Sequence, residues 1–196
     1  MKWYQPIECD NTVKNPFVCD YDNLDEFGFN ENSFIEGKTI NNWTEKIFIQ
    51  SKKKKNNGTP DDVLQNHLMI PIYSRQLVNS LANRGIGGIQ YLPIGVFDCF
   101  GQSLEGFSIA NFTNYIEAFD FQNSDYDLFR EDFPNPAVRG QIARVRKFVL
   151  KKRIIQEFDV IRLKEYDQRF FVSEKFVEIF NKNNYTGYSF REIELV

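Results

Sequence analysis

His67 is the single histidine of the chain and stands in the run Gln65-Asn66-His67-Leu68-Met69-Ile70. Alone it can build neither an HExxH motif nor a Cys/His zinc set. A nucleophilic arrangement of Cys99, His67 and Asp98 can be drawn, since such triads are defined by geometry and not by order. It is the basis of one alternative reading, a small cytosolic hydrolase or transferase using Cys99/His67 or a carboxylate cluster. Nothing local supports that reading. Asp98-Cys99-Phe100 reads as ordinary core, where a thiol is inert, and His67 reads as a ring at the edge of an apolar strand. Gly85-Ile86-Gly87-Gly88 follows a helical pattern and precedes a strand pattern. A phosphate loop has the opposite polarity, so these glycines read as helix cap and turn. Carboxylates fall into two blocks, Asp20, Asp22, Asp25 and Glu26, then Asp120, Asp125, Asp127, Glu131 and Asp132. Asp20-x-Asp22 and Asp125-x-Asp127 lack the glycine and closing glutamate of a calcium loop. No metal and no cofactor is expected. The chemistry left to these acids is electrostatic: the second block pairs with the adjacent basic run Arg139–Arg153 on the folded surface, or one block faces a partner of opposite sign.

The remaining composition narrows the class. The chain has 196 residues, 24 Lys+Arg against 27 Asp+Glu, and a net charge of −3. A dedicated nucleic-acid binder is clearly basic as a rule, so nucleic acid is an unlikely partner. Lys52–Lys55 reads as a solvated loop in SKKKKNNGTPDD, with no aromatic interleaved. Mean hydropathy is −0.46, and the longest mainly apolar stretch, Tyr91 to Phe97, is far short of the ~20 residues of a membrane helix. The start MKWYQPIECD has no cationic segment followed by an apolar one, so no secretory signal is expected. Cys9, Cys19 and Cys99 are odd in number and far apart, which reads as reduced thiols and a cytoplasmic location. With 20 Phe, 9 Tyr and 2 Trp, the core is expected to rest on aromatic packing.

The elements that must position these groups show internal order. Ile72-Tyr73-Ser74 with Leu77, Val78 and Leu81 aligns with Phe171-Val172-Ser173 with Phe176, Val177 and Phe180; Gly88 aligns with Gly187 and Tyr91 with Phe190. Each copy reads as a strand, a Ser that caps a helix, one apolar stripe, and a glycine opening an alternating strand. Gly85 and Asn183-Asn184 can supply the left-handed residue that ends each helix. Upstream, Asp62-Val63-Leu64 matches Asp159-Val160-Ile161. The pattern predicts an α+β fold of mostly antiparallel sheets with a few short helices and two related strand-strand-helix-strand units, about 61–97 and 158–196. Residues 1–60 form an acidic, aromatic-rich segment packed on this 61–196 body. Phe107–Phe121 reads as strand, turn, strand. Ile142–Ile155 reads as strand, with Phe148-Val149-Leu150 most buried. Phe158–Leu163 and Phe170–Val172 continue the sheet.

The same stretches carry a family resemblance. Ile72-Tyr73-Ser74 and its helix, Ile89–Ile94, Ile109–Phe112, Phe119-Asp120-Phe121, Ser124-Asp125-Tyr126, Phe148–Lys151, Phe158–Leu163 and Thr186–Phe190 follow one another in a familiar order and spacing. Over roughly Asp61 to Val196 the chain resembles the α+β immunity proteins of bacterial polymorphic toxin systems, the group labelled as Myxococcus-type immunity domains. The resemblance implies a small cytosolic protein that binds a cognate toxin domain and blocks it by occlusion. It offers no catalytic residue to carry over.

Overall fold

A computed structural model describes residues 1–8 and 16–196; Cys9 lies outside them. Along the chain come β1 (Trp3–Glu8), β2 (Val18–Cys19), β3 (Tyr21–Asp22), β4 (Phe48–Gln50), β5 (Gln65–Asn66) and β6 (Ile72–Ser74). Helix α1 (Arg75–Asn83) leads to β7 (Ile89–Phe97), β8 (Phe107–Phe112), β9 (Tyr115–Ile116) and β10 (Asp125–Leu128). The rest is β11 (Ile142–Lys147), β12 (Val149–Leu150), α2 (Lys152–Ile155), β13 (Val160–Leu163), β14 (Phe170–Ser173), α3 (Glu174–Lys182) and β15 (Tyr188–Leu195). This is an α+β architecture of mixed sheets with short helices.

Two large sheets carry the body. The first runs β3-β4-β7-β8-β6 and the second β12-β15-β1-β14-β13-β9. Each holds a helical crossover whose two parallel strands flank an antiparallel third. In the first, β8 lies between β6 and β7, with Phe107 opposite Ser74 and Ile94. In the second, β1 lies between β14 and β15, with Trp3 opposite Ser173 and Ile193. In the first sheet that third strand is the next one along the chain, whereas in the second it comes from the opposite end of the sequence.

Local chemistry explains the crossovers. Ser74 Oγ accepts from the Leu77 amide at 3.3 Å and donates to Asp62 Oδ1 at 2.7 Å. Its amide donates to the Asp62 carbonyl at 2.8 Å. Ser173 makes the same three contacts, with the Phe176 amide at 3.4 Å, Asp159 Oδ1 at 3.0 Å and the Asp159 carbonyl at 2.8 Å. One hydroxyl thus starts the helix and ties it to the preceding strand. Gly85 (φ 68°) and Asn184 (φ 55°) close α1 and α3 in the left-handed region, as such caps require. The helices meet through Tyr185, whose hydroxyl lies 2.6 Å from Ser80 Oγ and donates to the Gln76 carbonyl at 2.9 Å.

Three apolar clusters fill the interior. One joins Tyr73, Leu77 and Leu81 to Val172, Phe176, Phe180 and Tyr188, so both crossovers share a core. A second packs Phe29, Phe34 and Ile47 under the first sheet. The third gathers Trp3, Phe119, Leu150, Ile155 and Phe171 on the second. Complete burial of one such side chain contributes about 1.5–3 kcal/mol. Arg162 is also inside, only 3% exposed. Its Cζ lies 5.8 Å from the Phe112 ring centroid and 5.9 Å from that of Phe170, beside the stacked pair, and its Nη1 donates to the Asp167 carbonyl. Burial pushes its pKa down to about 10.

Two local expectations need correcting. Lys152–Ile155 is a helical turn and not the end of a strand; Ile155 leaves the sheet to reach the third cluster, so packing overrides β-branched propensity. Asp98-Cys99-Phe100 is a surface turn and not core: Phe100 is 66% exposed, and Asp98 Oδ1 accepts from the Phe100 and Gln102 amides, both at 2.8 Å. Lys52–Lys55 are exposed, as a solvated loop requires, with Lys52 Nζ 3.0 Å from the Tyr21 ring centroid and Lys54 over Phe100.

Candidate partner-binding surface

The first acid block is largely bound within the protein. Asp20 accepts from the Lys52 amide at 2.7 Å and pairs with Lys53 Nζ at 3.3 Å. Burial raises its pKa, but these two contacts outweigh that and hold the carboxyl below its usual range. Asp22 accepts from the Leu24 amide at 2.8 Å and faces His67 Nε2 at 3.0 Å. Asp25 and Glu26 ride exposed on the short 3-10 turn Leu24–Phe27. Among the described residues neither carboxylate has an ion pair.

The second block divides in the same way. Asp120 accepts from the Asn123 amide at 2.8 Å and closes a turn. Asp125 receives Arg146 on both oxygens, Nε at 2.9 Å and Nη2 at 2.5 Å, while Nη1 of the same arginine reaches Asp127. That fork holds the Asp125 carboxyl below its usual range. Asp132 pairs with Arg130 at 2.9 Å. Glu131 is exposed and, among the described residues, has no ion pair. Among the described residues, Asp25, Glu26 and Glu131 thus have neither an ion pair nor a side-chain hydrogen bond on their carboxylates, and Asp120 has hydrogen bonds but no ion pair. The structure does not bring the two blocks into contact.

The Asp125–Asp127–Arg146 clamp sits on a feature that sequence reading missed. β10 and β11 pair only with each other. Their root is fastened by Ser124, whose Oγ accepts from the Val149 amide at 3.0 Å, and by T-shaped contacts among Phe119, Phe121 and Tyr126. The far end, 129–141, is built: Phe129 and Phe133 rings lie 4.7 Å apart, Arg139 Nε donates to the Phe133 carbonyl at 2.8 Å, and Asn135 Oδ1 accepts from the Ala137 amide at 3.1 Å. Yet Leu128 is 46% and Phe133 38% exposed. An ordered, exposed ribbon with apolar tips is suited to contact. The legible signal was the match of Asp125-x-Asp127 to Arg144-x-Arg146, two alternations of opposite sign.

His67 and Cys99 do not assemble. His67 stands in the turn after β5, with Nδ1 3.2 Å from the Cys19 carbonyl and Nε2 on Asp22. The Cys99 amide donates to Asn57 Oδ1 at 3.1 Å. A cleft of about 380 Å³ lies beside Glu45, Arg75 and Glu105 and includes neither His67 nor Cys99. Among the described residues, no three His, Cys, Asp or Glu side chains are grouped to hold a metal ion, and no helix is long and apolar enough to cross a membrane. Burial pushes the Cys19 thiol up to about 12. Iodoacetamide at about pH 8 is therefore expected to spare Cys19 in the native protein and modify it only in denaturant, as peptide mass spectrometry reads. Native labelling of Cys19 would contradict its burial.

The mixed α+β body thus carries a separate, ordered two-stranded arm. The chain belongs to the immunity protein family Imm11, whose profile matches residues 4–195. The match extends the resemblance seen over 61–196 through β1 and the acidic segment. No curated protein matches the chain.

Proposed function

We propose that this protein neutralises a cognate bacterial toxin domain by occluding its active site or substrate path, acting in the cytoplasm and catalysing nothing itself. The family supports an immunity role, and the observation that carries the mode is the β10–β11 arm with its exposed Leu128 and Phe133. Aromatic and apolar tips supply anchors. The unneutralised carboxylates of Asp25, Glu26 and Glu131 steer association with a basic toxin surface. Asp20, Asp22, Asp120, Asp125, Asp127 and Asp132 add to the field while holding their own loops and strands.

The test is co-purification with the toxin domain encoded beside this chain, using wild type and the double variant Leu128→Asp/Phe133→Asp. Loss of one anchor predicts at least ~30-fold weaker binding. Both sites are exposed, so the thermal midpoint is expected to hold. Unchanged affinity refutes the arm as the contact. Absence of any wild-type complex refutes the neutralising role.

A further inference from the structure

One edge of the second sheet is open where its counterpart in the first is sealed. The Val196 amide donates to the Leu150 carbonyl at 3.0 Å, and the Val196 carbonyl accepts from the Lys152 amide at 2.7 Å. Val196 thus turns both polar groups toward β12. Hydrogen-bonding direction alternates along a strand, so Glu194, Glu192 and Phe190 turn theirs the same way. β12 pairs with β15 only at Glu194 and Leu195. Among the described residues, no backbone group meets the outward amide and carbonyl of Glu192 or Phe190.

The first sheet, with the small β2–β5 pair, repeats most of these pairings. β4 runs parallel to β7 at Gly95–Phe97 as β12 runs parallel to β15. β2 runs parallel to β5 as β9 does to β13. Asp22 faces Ile49 as Phe119 faces Leu150. Pro93 lies next to Ile94, the residue opposite Phe107; Glu192 lies next to Ile193, the residue opposite Trp3. Pro93 is therefore the counterpart of Glu192. Proline has no N–H to leave open. The Pro93 carbonyl accepts from Trp43 Nε1 at 2.7 Å, and the Gly95 amide donates to the Ile47 carbonyl at 3.0 Å. The segment before β4 seals that edge. The segment before β12 forms the arm instead and leaves its edge bare.

We propose that the bare edge of β15, Phe190 to Glu192, receives an extended segment of the toxin as an added strand. This rests on the neutralising role above and names a second place of contact. The edge opens onto a groove of about 220 Å³ bounded by Arg146, Lys147 and Phe148 from the foot of the arm, so arm and edge form one surface. Arg191 shares the Gln5 face and, among the described residues, has no ion pair. Phe190 lies on the other face, half-buried. The segment that fits alternates acidic residues, beside Arg191, with apolar ones, beside Phe190. A second copy of this chain fits poorly, because two-fold pairing centred on Arg191 or Glu192 sets like charges directly opposite.

The decisive variant is Glu192→Pro, which installs here what Pro93 supplies in the other sheet. Proline is tolerated on an edge whose N–H faces solvent, so the thermal midpoint is expected to stay within a few degrees. Toxin affinity is expected to fall about tenfold or more as a strand hydrogen bond is lost. Glu192→Gln keeps the amide and should bind like wild type. In hydrogen exchange, the Phe190 and Glu192 amides should exchange freely in the free chain and slow on complex formation. Wild-type affinity in Glu192→Pro, or protection already present in the free chain, overturns the added strand alone. Absence of any wild-type complex overturns it together with the neutralising role. A dimer of the free chain abolished by Glu192→Pro overturns it in favour of self-association.

Discussion

Replacing Trp3 by alanine is expected to destabilise the protein by about 3–5 kcal/mol, the range for a fully buried aromatic truncated in a core. Trp3 is 1% exposed and packs with Ala118, Phe119, Leu150 and Ile193. The position sharpens the expectation. β1 is hydrogen-bonded on both sides, to β14 and to β15. A cavity at Trp3 therefore loosens the junction of two strands as well as the apolar cluster beneath them. Urea unfolding followed by far-UV circular dichroism reads the change as a lower midpoint at similar slope. A loss under about 1 kcal/mol would place Trp3 at a compliant periphery and contradict the central position of β1.

Gly187→Ala is expected to cost about 2–5 kcal/mol, from backbone strain and a steric collision together. Gly187 has φ 103°, and a Cβ built there would lie 2.5 Å from the Val63 carbonyl oxygen and 2.7 Å from Val63 Cβ. The oxygen belongs to a bridged backbone: Val63 pairs with Tyr73, and the Val63 amide donates to the Thr186 carbonyl at 3.0 Å. It cannot yield as a flexible side chain would. Gly28 is the matched control, with φ 78° and nothing within 4 Å of its built Cβ. Gly28→Ala carries the strain alone, about 1–2 kcal/mol. Equal losses at the two sites in chemical denaturation would remove the close approach of Gly187 to Val63.

The residues that could be read in advance are those whose requirement is local. A serine before an apolar stripe, and a glycine or asparagine where the helix must end, announce Ser74, Ser173, Gly85 and Asn184 within a few residues of where they act. Strand and turn after Phe107 were legible too, but the second strand ends at Ile116 and does not run on to Phe121. Asp98-Cys99-Phe100 was misjudged because its apolar letters outweighed the turn signal of Asp98 with Gly101. Nothing local says that Trp3 pairs with Ile193, or that Phe107 separates Ser74 from Ile94. Alternation identifies a strand and is silent about its neighbours. The acid blocks were visible as composition. That Asp20 serves Lys52 and Lys53, and Asp125 serves Arg146, depends on contacts across many residues. The arm escaped notice because exposed Leu128 and Phe133 look like core residues until burial is measured.

The placement of β1 reaches back to how the molecule is made. Lys2 and Glu192, which meet across its edge, are 190 positions apart. During synthesis Trp3 finds its partner strand β15 only after about 190 further residues have followed it. Such long-range closure slows folding, because loop entropy must be overcome before the contact forms. Until then the β14–β15 slot stands vacant and its apolar walls face solvent, the condition under which nascent chains aggregate. Closing the second sheet thus joins segments about 190 positions apart, and the walls of that slot stay uncovered until the contact forms.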